Sequence, residues 1–182
     1  MAVKTFSTGE VLTAADTNTY LNNGGLVYIK SQTIGTAVSS VTVTNAFSAD
    51  YDNYRIVISG GTNSTASSVK FQLSNSTGST YQMFGYYGDF GTATLTAYSP
   101  AAATSWTDAI RAETTRYYAT IELNGPFLSV ATLGHTVSNS TITAYHFQLR
   151  DTSTNSSTGF TLTPNTGTMT GGTIRVYGYR QA

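Results

Sequence analysis

The chain has no cysteine, only three prolines and charge on just 10% of its residues. Without cysteine there is no disulfide scaffold, no thiol nucleophile and no thiolate metal site. Ordinary domains carry about 25% charged residues. Here nine basic and nine acidic side chains cancel to a formal net charge of zero. No basic field exists to neutralise phosphates, which argues against a nucleic-acid partner. No apolar run approaches the roughly 18 residues that a membrane-spanning helix needs, so membrane insertion is not expected. The opening Met1-Ala2-Val3-Lys4-Thr5-Phe6 also lacks the apolar run of a signal peptide, which predicts synthesis in the cytosol without an export signal.

What remains is a 182-residue chain rich in Ser, Thr, Asn, Gly and Tyr. That length suits one domain burying roughly 70% of the surface its unfolded chain exposes, with no metal or disulfide needed to hold a core. Solubility has to come from hydroxyls and amides. The clearest element is Tyr51-Asp52-Asn53-Tyr54-Arg55-Ile56-Val57-Ile58-Ser59-Gly60, a polar turn leading into a strand. Tyr54, Ile56 and Ile58 share one face and Val57 lies on the other, which suits the middle of a sheet.

Other period-two segments are predicted at 26–33, 39–47, 69–74, 81–87, 92–98, 117–124, 141–149, 160–164 and 173–179. Three alternate cleanly: Val69/Phe71/Leu73, Tyr145/Phe147/Leu149 and Ile174/Val176 against polar neighbours. Each reads as a strand with one wet face. About ten short strands between Ser/Thr/Asn/Gly turns predict an all-β, antiparallel, jelly-roll-like β-sandwich over residues 26–182. Phe71-Gln72-Leu73 is echoed by Phe147-Gln148-Leu149, as expected of corresponding strands in two sheets. Around residues 101–115, Pro100-Ala-Ala-Ala-Thr104 and 106–112 read as a long loop with a helical turn.

Residues 1–25 differ from the rest. Thr13 and Asp16 form a capping-box pattern, predicting a short helix from Ala14 to about Asn22 that Asn23-Gly24-Gly25 would end. A helix of about nine residues is unstable alone and has to dock. The segment is therefore read as an anchor, with Phe6, Val11, Leu12, Tyr20 and Leu21 as its assembly residues.

Chemistry-bearing patterns are sparse. His135 and His146 are the only imidazoles and belong to no ligand cluster. Asp50 and Asp52 fit a turn better than a cation site. Asp89, Asp108, Glu113 and Glu122 offer carboxylates of the kind glycosidases pair, with no separation readable from sequence. There is no G-x-S-x-G elbow, and the glycines of 167–172 lack the Lys-Ser/Thr of a phosphate loop. No catalytic residue, metal or cofactor is expected. Aromatics carry more weight. Tyr81, Phe84, Tyr86, Tyr87 and Phe90 crowd one segment, Tyr177 and Tyr179 project from the last strand, and Trp106 is the only tryptophan. Such rings serve either as core or as platforms for sugars and proteins. The candidate partner surface is Tyr81, Tyr86, Tyr87, Phe90 and Trp106.

The opening Phe6-Ser-Thr-Gly9-Glu10-Val11-Leu12-Thr13-Ala14-Ala15-Asp16-Thr-Asn18-Thr-Tyr20-Leu21 resembles a segment near the N-terminus of many tailed-bacteriophage structural proteins. Tyr51-Asp52-Asn53-Tyr54-Arg55-Ile56-Val57-Ile58 and the ending Gly172-Thr-Ile-Arg175-Val-Tyr-Gly-Tyr179-Arg180 are similar to the β-domain of the same group. The resemblance covers about 40 residues. It implies a non-enzymatic virion protein with a β-sandwich, often a homotrimer, exposed on the particle and bound to other virion proteins. The leading expectation is a tail- or baseplate-associated fibre or knob meeting a host surface glycan. A trimeric capsid decoration protein comes next, and a free carbohydrate-binding module or glycan hydrolase third. The chain lacks the coiled-coil or repetitive shaft of a long fibre.

Overall fold

Period-two alternation of side chains decides nearly every element of this chain. The structure, a computed structural model, describes residues 7–11, 13–16, 25–92 and 94–180. Its strands are β1 (Leu26–Thr33), β2 (Val41–Val43), β3 (Asn53–Ser59), β4 (Thr62–Asn63), β5 (Ser67–Leu73), β6 (Tyr81–Asp89) and β7 (Thr96–Tyr98). After these come β8 (Trp106–Ala112), β9 (Tyr117–Asn124), β10 (Thr132–Ser140), β11 (Thr143–Asp151), β12 (Phe160–Pro164), β13 (Met169–Thr170) and β14 (Thr173–Tyr179). An eight-stranded sheet runs β1-β14-β3-β9-β10-β11-β6-β7, a four-stranded sheet runs β2-β12-β5-β8, and β13 pairs with β4. All pairings are antiparallel.

The all-β sandwich expected from sequence is therefore present. Its division into eight and four strands differs from the two Greek keys of an eight-stranded jelly roll, and the strands exceed the ten expected. β3 sits between β14 and β9 with Tyr54, Ile56 and Ile58 buried, as its two-sided apolar pattern predicts. The inward faces of both sheets merge into one core, where Phe71 stacks on Phe160 at 4.5 Å and Trp106 meets Tyr81 edge-on at 5.2 Å. Phe71 and Phe147 both face this core, from different sheets. Gly60-Gly61 and Gly171-Gly172 close the β3 and β14 ends in close backbone contact. A Cβ on Gly172, whose φ is +88°, would collide with the Gly60 carbonyl.

Four segments depart from expectation. Residues 106–112 form a strand rather than a loop with a helical turn. The β5–β8 register shifts at a bulge between Val69 and Phe71, and burial along β8 runs through Trp106, Ala109, Ile110 and Ala112, which hides period two. β10 went unseen because its polarity is inverted. Thr132, Thr136 and Ser138 are buried, whereas Leu133 is exposed. The inward hydroxyls are bonded: Thr136 Oγ1 donates to the Ala109 carbonyl at 2.8 Å, and Ser138 Oγ accepts the Arg111 amide at 2.9 Å. The free edge of β8 is thus closed by side chains of the opposite sheet. Finally, 39–47 and 92–98 shrink to β2 and β7.

The N-terminal helix is described only as α1 (Ala14–Asp16). Its capping box is formed: the Asp16 amide donates to Thr13 Oγ1, and the Thr13 amide to Asp16 Oδ2, both at 3.1 Å. The rest of the expected helix lies outside the described residues. Among the described residues no helix is long and apolar enough to cross a membrane. The Arg180 amide donates to the Gly25 carbonyl at 2.9 Å, so the two ends of the domain meet at the β1–β14 edge.

Candidate functional site on the open sheet face

One face of the eight-stranded sheet packs on the core, and alternation sends the other set of side chains outward. Register places them in rows across the strands. One row reads Arg55, Glu122, His135, Gln148, Phe84, and the next reads Asn53, Asn124, Leu133, Arg150, Gln82. Phe84 is 66% exposed and Leu133 is 50% exposed.

Two grooves of about 500 and 530 Å³ share Leu133, Gly134 and Gln148. Volumes of this size are typical of small-ligand sites. The first groove is walled by Glu122, Tyr179, Asn53 and Asn124, the second by Phe84, Gln82 and Arg150. Glu122 is held from two sides. Tyr179 donates its hydroxyl to Oε2 at 2.6 Å, and Arg55 Nε lies 2.9 Å from Oε1. That Nε–H is poorly aligned for a hydrogen bond, so the contact acts as an ion pair. Partial exposure on the Arg55 side keeps its contribution below about 1 kcal/mol. Burial, and then the bond to Glu122, raises the Tyr179 phenol above its ordinary pKa. Asn124 Nδ2 donates to Asn53 Oδ1, fixing both amides at the rim.

The aromatics expected at a partner surface divide three ways. Tyr81 and Trp106 are corrected to core residues, both fully buried. Tyr81 accepts the Leu73 amide and donates to the Ser76 carbonyl, while the Trp106 indole donates to the Arg150 carbonyl at 3.0 Å. Both polar tips find partners inside, which lets the large rings fill the core. Tyr87 points inward and packs half-buried against Tyr145 at 5.4 Å. Tyr86 is on the open face, 46% exposed, stacked on His146 with rings 5.6 Å apart and 8° from parallel. Phe90 is exposed just past the end of β6, and its amide donates to the Ile142 carbonyl at 2.7 Å. Of the anchor residues, Val11 is 80% exposed; Phe6, Leu12, Tyr20 and Leu21 lie outside the described residues.

The histidines occupy separate rows of the open face. Asp50 accepts a bond from Ser48 Oγ at 3.0 Å, as a turn former does. Among the described residues no group of three His, Asp or Glu comes together. Sequence reasoning missed Leu133 because its strand, β10, was unseen, and it missed Gln82, Gln148 and Arg150 as neighbours because alternation does not reveal that β6 pairs with β11. The signal available was the alternation Leu133/His135/Val137 itself, read with hydroxyls inward. The chain matches no protein-family model, no curated protein and no solved structure.

Proposed function

We propose that this chain is a non-enzymatic structural protein of a tailed-bacteriophage virion, a tail- or baseplate-associated knob that meets the host surface. The observation that carries this reading is the pairing of a one-edge attachment point with an open, aromatic-bearing sheet face. The chain enters and leaves the sandwich together at Gly25 and Arg180. The outer face presents Phe84 and Leu133 to solvent around one groove, with Tyr86 exposed two residues along from Phe84, and apolar groups gathered in a patch mark contact surfaces. The N-terminal resemblance supplies the particle, and residues 1–25 supply its anchor. Tyr86, with Phe84, replaces Tyr81 and Trp106 as the aromatic contact surface. The working assembly is a homotrimer joined to other virion proteins.

Immunogold labelling of intact virions with antibody raised against residues 26–182 tests the proposal. Gold at the tail end supports it. Gold spread over the head makes the protein a capsid decoration protein instead, and no gold on particles removes the virion role. Deleting residues 1–25 should leave a folded domain that no longer joins particles; incorporation at the full-length level refutes the anchor. A monomeric mass by light scattering, both free and in particles, refutes the trimer.

A further inference from the structure

The open face is not electrically neutral, although the chain as a whole is. Its strands send outward Arg55, Arg150 and Arg175 against the single carboxylate of Glu122. Arg55 is paired with Glu122, and Arg175 donates to Ser59. Among the described residues Arg150 forms no ion pair. It stands exposed at the wall of the 530 Å³ groove, with Gln82 and Leu133 directly across from it on either side. Two residues back along β11, Gln148 faces Phe84 on β6. A guanidinium, two amides, an exposed phenyl ring and an aliphatic wall therefore occupy adjacent positions on three neighbouring strands. The main chain at Arg150 is fixed from behind by the indole of buried Trp106, so the guanidinium projects from a rigid point, as preorganised sites require.

We propose that this groove binds a carboxylate-bearing sugar of an acidic glycan. The acid group pairs with Arg150, one sugar face lies on Phe84 and Leu133, and Gln82 and Gln148 bond the hydroxyls. Charge complementarity carries the choice. A planar guanidinium fork matches a planar carboxylate in bidentate geometry, and amides beside an exposed ring suit hydroxyls beside a C–H face. The groove is also open. Residues 1–25 lead into β1, five strand spacings or roughly 24 Å from β11, so the proposed attachment point lies away from Arg150. The inference rests on the surface-contact reading above and names its ligand class.

The test is binding of fluorescent oligogalacturonate to the full chain, beside its carboxyl-reduced neutral form and dextran sulfate. Binding of the oligogalacturonate that weakens with salt and falls at least about tenfold in Arg150→Gln is expected. Phe84→Ala should weaken it as well, with the melting transition and Trp106 emission unchanged, since both side chains are exposed. Equal binding of the neutral form, or full binding by Arg150→Gln, overturns the proposal. Tighter binding of dextran sulfate makes the groove a general anion site and overturns the carboxylate assignment. No binding of any of the three also overturns it. Gold at the tail with no glycan binding sinks this inference alone; glycan binding with unlabelled particles sinks the virion reading and leaves the groove standing.

Discussion

Replacing Thr136 by Val tests whether hydroxyls hold the two sheets together. Thr136 is fully buried, and its Oγ1 donates to the Ala109 carbonyl on the free edge of β8 at 2.8 Å. Valine keeps the branched shape and removes the donor. The stranded carbonyl costs about 1–3 kcal/mol. Burying a methyl in place of the hydroxyl returns about 0.8 kcal/mol. The net loss is about 1 kcal/mol, which lowers the melting temperature of a domain this size by about 2–4 °C.

Thr136→Ser is the matched control, because it keeps the donor and loses a buried methyl. If the hydroxyl closes the β8 edge, Val is no better than Ser. If it is merely tolerated, Val is the more stable and at least equals wild type. Thermal and urea unfolding followed by the emission of Trp106 give both numbers. A Thr136→Val protein melting above Thr136→Ser and at or above wild type would refute the edge-closure argument. Ser138→Ala extends the series. It strands the Arg111 amide and the bond to the Tyr118 carbonyl, so a loss of roughly 2–3 kcal/mol is expected.

Alkaline pH should unfold the protein through its buried phenols. Burial pushes Tyr81 and Tyr117 up to about 12, against about 10 in the unfolded chain. Both stay protonated in the fold while the unfolded state releases protons, so stability is full below pH 10 and falls as pH rises from 10 to 12. Tyrosinate absorbance should show at least two of the 13 tyrosines, Tyr81 and Tyr117, ionising only with unfolding; all titrating freely near 10 would refute the burial. Gly178→Ala forces a Cβ into the ring of Tyr51 and should cost about 1–3 kcal/mol in urea unfolding, whereas a neutral result would show that ring free to swing aside. Trp106→Ala removes the largest fully buried side chain and should cost about 3–5 kcal/mol. Tyr86→Ala, on the open face, should leave stability within about 0.5 kcal/mol and act only on binding.

Where inward residues are apolar, the sequence is explicit. Tyr54/Ile56/Ile58, Val69/Phe71/Leu73 and Tyr145/Phe147/Leu149 each mark a core face, and β1, β9, β12 and β14 keep the bounds expected for them. The reading fails where a strand meets the core through hydroxyls, because Thr and Ser satisfy a neighbour's backbone there and carry no hydrophobic signal. It fails again at β8, where a bulge breaks the period. The aromatics show the same limit from the other side. Tyr81 and Tyr86 are both tyrosines of β6, and only parity along the strand separates a core ring from a surface ring.

Both faces of β10 carry the argument for a binding surface. On the inner face, small hydroxyls let β8 approach closely enough for backbone atoms to bond to side chains, which locks the sandwich beneath the groove. On the outer face, apolar Leu133 stands exposed where a solvated strand would ordinarily place a polar residue. A sequence selected for stability alone would gain by placing Leu133 inward, where its burial contributes about 1.5–3 kcal/mol. Its outward position between Asn124 and Arg150 puts it with exposed Phe84 on the wall of one groove, and contact with a ligand or subunit there is the explanation proposed for it. A stability gain from Leu133→Thr without loss of binding to particle, subunit or glycan would remove that explanation.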